Sequence, residues 1–265
     1  MTTRLAALAV ALAVVAPVSA AAITETVTSV PSRPGVTQFF VLVRPDGDPV
    51  ASAVLFTGSG GNLRLAQRGG VGAGINFLVR NRARFAEHGV LVAVVDAPSD
   101  RESDGLTLFR STAAHAQDVQ AVIAALRRLS PAPVWLVGTS MGTVSAANAA
   151  ARLAGAPAAP AGLVLTSSIT RPSRRERESL SDVRLGAITV PTLVVHHKDD
   201  ACAFTPHRDA ATLPKALTGA PRVEVVTIEG GDPAQSPPCE PLSAHGFFGL
   251  DAPVVERIAR WMGAR

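Results

Sequence analysis

The sequence predicts an α/β protein, with a mainly parallel, doubly wound sheet covered by helices. Three observations carry this. From about Phe39 onward, short β-branched runs alternate with Ala-rich stretches of helical period. Several of the runs are apolar without interruption, as strands buried on both faces of a sheet are. Hydrophobic residues make up 47% of the chain against 17% charged, ample material for a core and too apolar for a disordered or coiled-coil chain. Aromatics are scarce and Tyr is missing, so that core has to be built from Val, Leu, Ile and Ala.

The elements follow in order. Arg4 precedes the apolar run Leu5 to Ala16, and Pro17, Val18, Ser19, Ala20 and Ala21 come next. A charged start, a short apolar stretch and small residues at the end are the parts of a secretory signal peptide. Residues 1–20 are assigned to it and 21–265 to one domain. The apolar run falls short of the ~20 residues that span a bilayer, which predicts no integral membrane segment after the signal is removed. Candidate strands are Phe39–Val43, Ala53–Phe56, Val90–Val95, Val134–Val137, Gly162–Leu165, Thr192–His196 and Arg222–Ile228. Candidate helices are Asn76–Glu87, Thr112–Leu129, Met141–Leu153 and Ala252–Trp261; in the second, Val119, Val122, Ile123, Leu126 and Leu129 recur at the spacing of one buried face. His88 and His115 fall on helical segments and read as surface residues. Only about 25 residues lie between Leu165 and Thr192, too few for a large cap. The charge run from Arg171 to Arg177 alternates in sign and reads as a solvated loop.

Two cysteines, Cys202 and Cys239, suit an exported chain, since an even count in an oxidising compartment is usually paired. The chain is expected to be periplasmic or secreted. A net charge of +4 gives no reason to expect nucleic acid as a partner.

The chemistry concentrates at Gly138-Thr139-Ser140-Met141-Gly142, which runs from an apolar strand into an Ala-rich helix. In a G-x-S-x-G turn the serine is strained and exposed at the sheet edge, and side chains at the two glycines would collide with the strand and helix. Ser140 is therefore the candidate nucleophile, and the backbone N–H of Met141 points to where an oxyanion forms. Two rivals are weaker. Gly58-Ser59-Gly60 follows a strand, but position 63 is Leu63 and no acidic residue lies near 80, so a dinucleotide fingerprint fails. His196, His197, Asp199, Asp200 and Cys202 are dense in metal ligands, yet adjacent strand residues face opposite ways, and no metal or cofactor is assigned. Asp96 reads as a rim or turn residue.

With these residues the chain resembles the α/β-hydrolase family from about residue 36 to 262. The family's order is nucleophile, acid, histidine. The resemblance implies an acid in His197-Lys198-Asp199-Asp200 after a late strand, with Asp200 in register and Asp199 as the alternative. It implies a base in the loop before the last helix, where His245 is the only histidine. It also implies a second oxyanion donor in the loop Thr57-Gly58-Ser59-Gly60-Gly61, the N–H of Ser59 or alternatively Gly60. The implied function is a serine hydrolase that cleaves small-molecule carboxylic esters through an acyl-enzyme intermediate on a Ser140-Asp200-His245 triad. A peptidase, amidase or thioesterase on the same triad is the alternative, and a binding module that kept only the fold is a different class. Retention of all three residues in order favours an enzyme.

Overall fold

The computed structural model describes residues 22–71, 76–174 and 177–263; the proposed signal peptide and the last two residues lie outside them. Strands β1 (Thr24–Arg33), β2 (Val36–Arg44), β3 (Ala51–Phe56), β4 (Val90–Val95), β5 (Val134–Thr139), β6 (Gly162–Thr166), β7 (Thr192–His197) and β8 (Val223–Ile228) form one sheet in the order β1-β2-β4-β3-β5-β6-β7-β8. The β1–β2 and β2–β4 pairs are antiparallel, and every pair from β4 to β8 is parallel. Helices are α1 (Leu65–Arg68), α2 (Phe77–Arg80), α3 (Arg82–Glu87), α4 (Ala113–Leu129), α5 (Gly142–Arg152), α6 (His207–Ala210), α7 (Leu213–Ala216) and α8 (Asp251–Trp261).

The uninterrupted apolar strands have the predicted consequence. Side chains alternate across a strand, so one strand supplies two cores. Leu91, Ala93 and Val95 pack with Val122 and Ile123 of α4 and Val144 of α5. Val90, Val92 and Val94 pack with Phe85 of α3 and Val254 and Ile258 of α8. The helices after β3 and after β5 thus lie on opposite faces of the sheet. A crevice opens at the carboxyl ends of β3 and β5, the switch point at which open α/β sheets bind ligands.

Two elements differ from the sequence reading. Strand β1 has no counterpart in it, because TETVTSVPSR is mostly polar and contains Pro31. The strand lies at the sheet edge, where a missing N–H is tolerated, and its register shifts between Pro31 and Arg33. The single helix expected over Asn76–Glu87 is two short ones. The Asn81 side chain donates to the Phe77 carbonyl at 2.9 Å and to Asp251, which competes with the backbone and ends α2.

His115 is not a surface residue. It is 1% exposed, in edge-on contact with the Phe56 ring and tilted against that of Phe109, with no hydrogen-bond partner on either ring nitrogen among the described residues. Burial, reinforced by the nearby Arg110 and Arg33 charges, pushes its pKa down to about 3. From pH ~6.5 down towards that value the unfolded chain binds a proton that the folded protein refuses, so stability falls as pH falls through this window. His115→Phe should therefore lose less melting temperature than the wild type between about pH 7 and about pH 5. Equal losses in thermal melts at the two pH values would assign the acid sensitivity to other groups.

Candidate active site

Ser140 sits where β5 turns into α5, with φ +51°, in the left-handed region that costs a non-glycine residue of order 1–3 kcal/mol. The glycines on either side explain how the turn is held. A Cβ at Gly142 would lie 2.1 Å from the Phe56 carbonyl oxygen, and one at Gly138 would lie 2.4 Å from the Gly142 carbonyl oxygen. Strand and helix meet too closely for any side chain at either position. The Ser140 N–H donates to the Thr166 carbonyl at 3.0 Å, and the Ser140 carbonyl accepts from the Thr143 N–H at 2.9 Å and the Thr143 hydroxyl at 2.6 Å. Fixed on both sides, the serine side chain faces the crevice.

The Thr57–Gly61 loop borders the crevice from the end of β3. A Cβ at Gly58 would come 3.1 Å from the Ser140 Cβ, so the bare backbone is what lets this loop close on the serine. Ser59 also takes a positive φ, +47°. Its carbonyl accepts from the buried Arg110 guanidinium at 2.8 Å, whose other arm donates to the Ser145 hydroxyl at 2.8 Å. Among the described residues no acceptor takes the N–H of Ser59 or of Met141. Downstream, the Asp96 carboxylate accepts the N–H groups of Leu63, Leu65 and Ala97 at 2.5, 2.7 and 2.8 Å. Asp96 is thus a buried anchor for the far end of this loop.

Asp200 and His245 come from loops after β7 and β8. His245 Nδ1 lies 3.0 Å from Asp200 Oδ2, and both residues are buried. The other carboxylate oxygen accepts the Cys202 N–H at 2.9 Å. Asp199 is exposed, and its N–H donates to His197 Nδ1 at 3.0 Å. The His245 loop has little regular structure but many tethers. Arg80 donates to the Gly246 carbonyl at 2.6 Å and to the Pro241 carbonyl at 3.3 Å, and the Ser167 hydroxyl donates to the His245 carbonyl at 2.7 Å. Cys202 and Cys239 form a disulfide that joins the two loops.

Ser140 and His245 line one small cavity of about 20 Å³ together with Gly58 and Ser59. It adjoins a larger one of about 720 Å³. Met141, Ile169, Phe204 and the disulfide give that cavity an apolar wall, and Arg174 and Glu240 stand at its exposed side. Between β6 and β7 the described residues form only two short 3-10 turns, Leu180–Asp182 and Leu185–Ala187. His196 and His197 diverge, as neighbours on a strand must. His196 Nε2 accepts the Ser168 N–H at 2.5 Å, and burial pushes its pKa down to about 4. His197 Nε2 meets the Gly230 carbonyl at 2.9 Å. Among the described residues no group of His, Cys, Asp and Glu side chains could hold a metal.

The sequence reading missed Arg110, Ser167 and Arg80, each of which grips a carbonyl of a site loop. None of them sits in a motif, and only the tertiary contact reveals what each one holds.

No protein-family model matches the sequence, and no curated protein matches it. Solved structures do match over nearly the whole chain. A cold-adapted esterase from an Arctic intertidal metagenomic library is 17% identical, with a TM-score of 0.60 over 90% of this chain and 94% of its own. A dienelactone hydrolase from Anabaena variabilis is 17% identical, with a TM-score of 0.60 over 91% and 97%. A lidless α/β serine hydrolase from Xanthomonas campestris is 17% identical, with a TM-score of 0.58 over 88% and 94%. At such identities the likeness is one of fold, and the chain has the α/β-hydrolase fold.

The disulfide spans a sequence separation of 37, for which the chain-entropy relation gives roughly 4 kcal/mol. Cys239→Ser should lower the melting temperature by several degrees and slow the labelling of Ser140 by a fluorophosphonate. Both follow because the loops carrying Asp200 and His245 lose their covalent link. An unchanged melting temperature and labelling rate would show that the hydrogen-bond tethers hold those loops alone.

Proposed function

We propose that the protein is an exported serine hydrolase that cleaves carboxylic esters of small acyl groups through a Ser140 acyl-enzyme. The observation that carries this reading is the contact of Asp200 with His245 Nδ1, made beside a strained serine that shares a cavity with the same histidine. With Nδ1 engaged, Nε2 is the ring nitrogen left to take the Ser140 proton. A serine hydroxyl is a weak nucleophile until such a base removes its proton.

Ser140 Oγ attacks the ester carbonyl as its proton passes to His245 Nε2, and the carbonyl oxygen becomes an oxyanion facing the Met141 and Ser59 N–H groups. The buried Asp200 carboxylate stabilises the imidazolium so formed. Collapse expels the alkoxide, which leaves as an alcohol with the proton from His245. Water then attacks the acyl-enzyme with His245 as base, releasing the acid and restoring Ser140. Each oxyanion donor contributes on the order of 3 kcal/mol to transition-state stabilisation.

Three further features support the details. The open cavity and the short β6–β7 connection favour short or medium acyl chains over long ones. The esterase, the dienelactone hydrolase and the lidless serine hydrolase among the structural neighbours fit a small ester substrate. Export rests on the leader-like residues 1–20 and on the disulfide, which persists in oxidising compartments.

A series of p-nitrophenyl esters of increasing chain length tests the reading. Activity should fall beyond medium chains, and a preference for long chains with activation at an oil–water interface would contradict it. Ser140→Ala should lower kcat by ~10⁶ and abolish fluorophosphonate labelling; a folded Ser140→Ala protein that still turns over would overturn the mechanism. Asp200→Asn should lower kcat by ~10⁴, as a histidine in the wrong tautomer does. Asp199→Asn should leave it nearly unchanged, because that carboxylate is exposed and makes no contact with His245. The opposite pattern would move the acid one residue upstream.

A further inference from the structure

A third side chain meets the Asp200–His245 pair. The Thr205 hydroxyl donates to Asp200 Oδ2 at 2.9 Å and lies 3.1 Å from His245 Nδ1. Oδ2, Nδ1 and the threonine oxygen therefore close a triangle. A hydroxyl has one proton to give and lone pairs to accept with, whereas an ionised carboxylate only accepts. The threonine proton accordingly points at Oδ2, and its lone pairs face the Nδ1–H. With the proton on Nε2 instead, the Nδ1 lone pair would face two acceptor oxygens. The hydroxyl would then have to turn its proton away from the carboxylate.

We propose that Thr205 is a positioning residue of this hydrolase: its hydroxyl orients the Asp200 carboxylate and holds His245 in the Nδ1–H form that leaves Nε2 to serve Ser140. The inference rests on the assignment of Asp200 and His245 made above.

The surroundings of Thr205 suit this task. Its side chain is fully buried, so water does not compete for the hydroxyl. Its backbone is fixed, because the Thr205 N–H donates to the Cys202 carbonyl at 3.2 Å. The preceding carbonyl, of Phe204, accepts the N–H groups of Thr170 and Arg171 at 3.1 and 3.2 Å. Cys202 gives its own N–H to Asp200 Oδ1 and is tied by the disulfide to the histidine loop. Thr205 lies outside the lining of both cavities at Ser140, so it acts through His245 and not on the substrate.

The test is a double-mutant cycle. Thr205→Val keeps the shape and removes the hydroxyl, and Thr205→Ser keeps the hydroxyl; both are combined with Asp200→Asn. A hydrogen bond to a charged group sets the expected scale. Thr205→Val should lower kcat on a short p-nitrophenyl ester by about 10- to 100-fold with KM nearly unchanged, and slow fluorophosphonate labelling by the same factor. Thr205→Ser should recover most of that loss. In the Asp200→Asn background the valine should cost little more, because the carboxylate through which the hydroxyl acts is gone. If Thr205→Val does not fold, Thr205→Ala enters the same cycle.

Wild-type kcat in Thr205→Val, failure of serine to rescue, or a full valine penalty in the Asp200→Asn background would each overturn the proposal. Wild-type kcat in Asp200→Asn itself would overturn the triad assignment together with it. An inactive Asp200→Asn beside an unaffected Thr205→Val would leave the triad standing and remove Thr205 alone.

Discussion

The close approach of α5 to the carboxyl ends of β3 and β5 is the constraint on which the site depends. Gly142 meets the Phe56 carbonyl, and Gly138 meets the Gly142 carbonyl, at distances that exclude a Cβ. The chain has to turn within Ser140, in a conformation that serine disfavours. The strain is tolerated because the sheet and α5, each packed into the core, hold both ends of the turn. The same approach brings Gly58 against Ser140 and sets the Thr57–Gly61 loop beside the serine. Loosening the helix from the sheet would therefore relax the serine and open the loop together.

The opposite wall of the site is organised around one buried carboxylate, that of Asp200. Asp200 accepts the Cys202 N–H and the Thr205 hydroxyl and lies 3.0 Å from His245 Nδ1. Burying a carboxylate is costly unless it is hydrogen-bonded, and here the hydrogen-bond donors that stabilise the charge also fix its direction. The histidine loop is closed by its own backbone hydrogen bonds, among them Asp232 N–H to the Phe248 carbonyl and Gln235 N–H to the Leu242 carbonyl, and is tied to the rest of the protein by Arg80, Ser167 and the disulfide. Stability and site geometry are thereby coupled, because the contacts that order the loop also aim the imidazole.

Buried polar groups away from the crevice serve the same end at one remove. Arg110 reaches through the protein to the Ser59 carbonyl, and Asp96 gathers three N–H groups just beyond it. Arg110 holds the backbone of the Thr57–Gly61 loop itself, and Asp96 holds the chain just beyond it. Burial of His115 and His196 pushes the pKa of each down, which disfavours the charged form of both rings in the core.

The sequence by itself determined the layered α/β class, most of the strands, the long helices and the elbow at Ser140. These depend on local periodicity and on a five-residue glycine–serine pattern that is itself local in the sequence. Resemblance to the α/β-hydrolase family implies an acid at Asp200, with Asp199 as the alternative, and a base at His245, because that family keeps the order nucleophile, acid, histidine. Only the tertiary structure decided which aspartate faces the histidine. Asp199 and Asp200 are chemically identical, and their difference lies in which way a turn after β7 directs each one, into the protein or out to solvent. The same holds for β1, whose polar, proline-containing sequence becomes a strand once β2 offers it an edge, and for His115, whose helix face is buried by contacts distant in sequence. Thr205, Arg110 and Ser167 carry no local signal at all, since a lone threonine, arginine or serine acquires its role from the partner that folding brings within 3 Å of it.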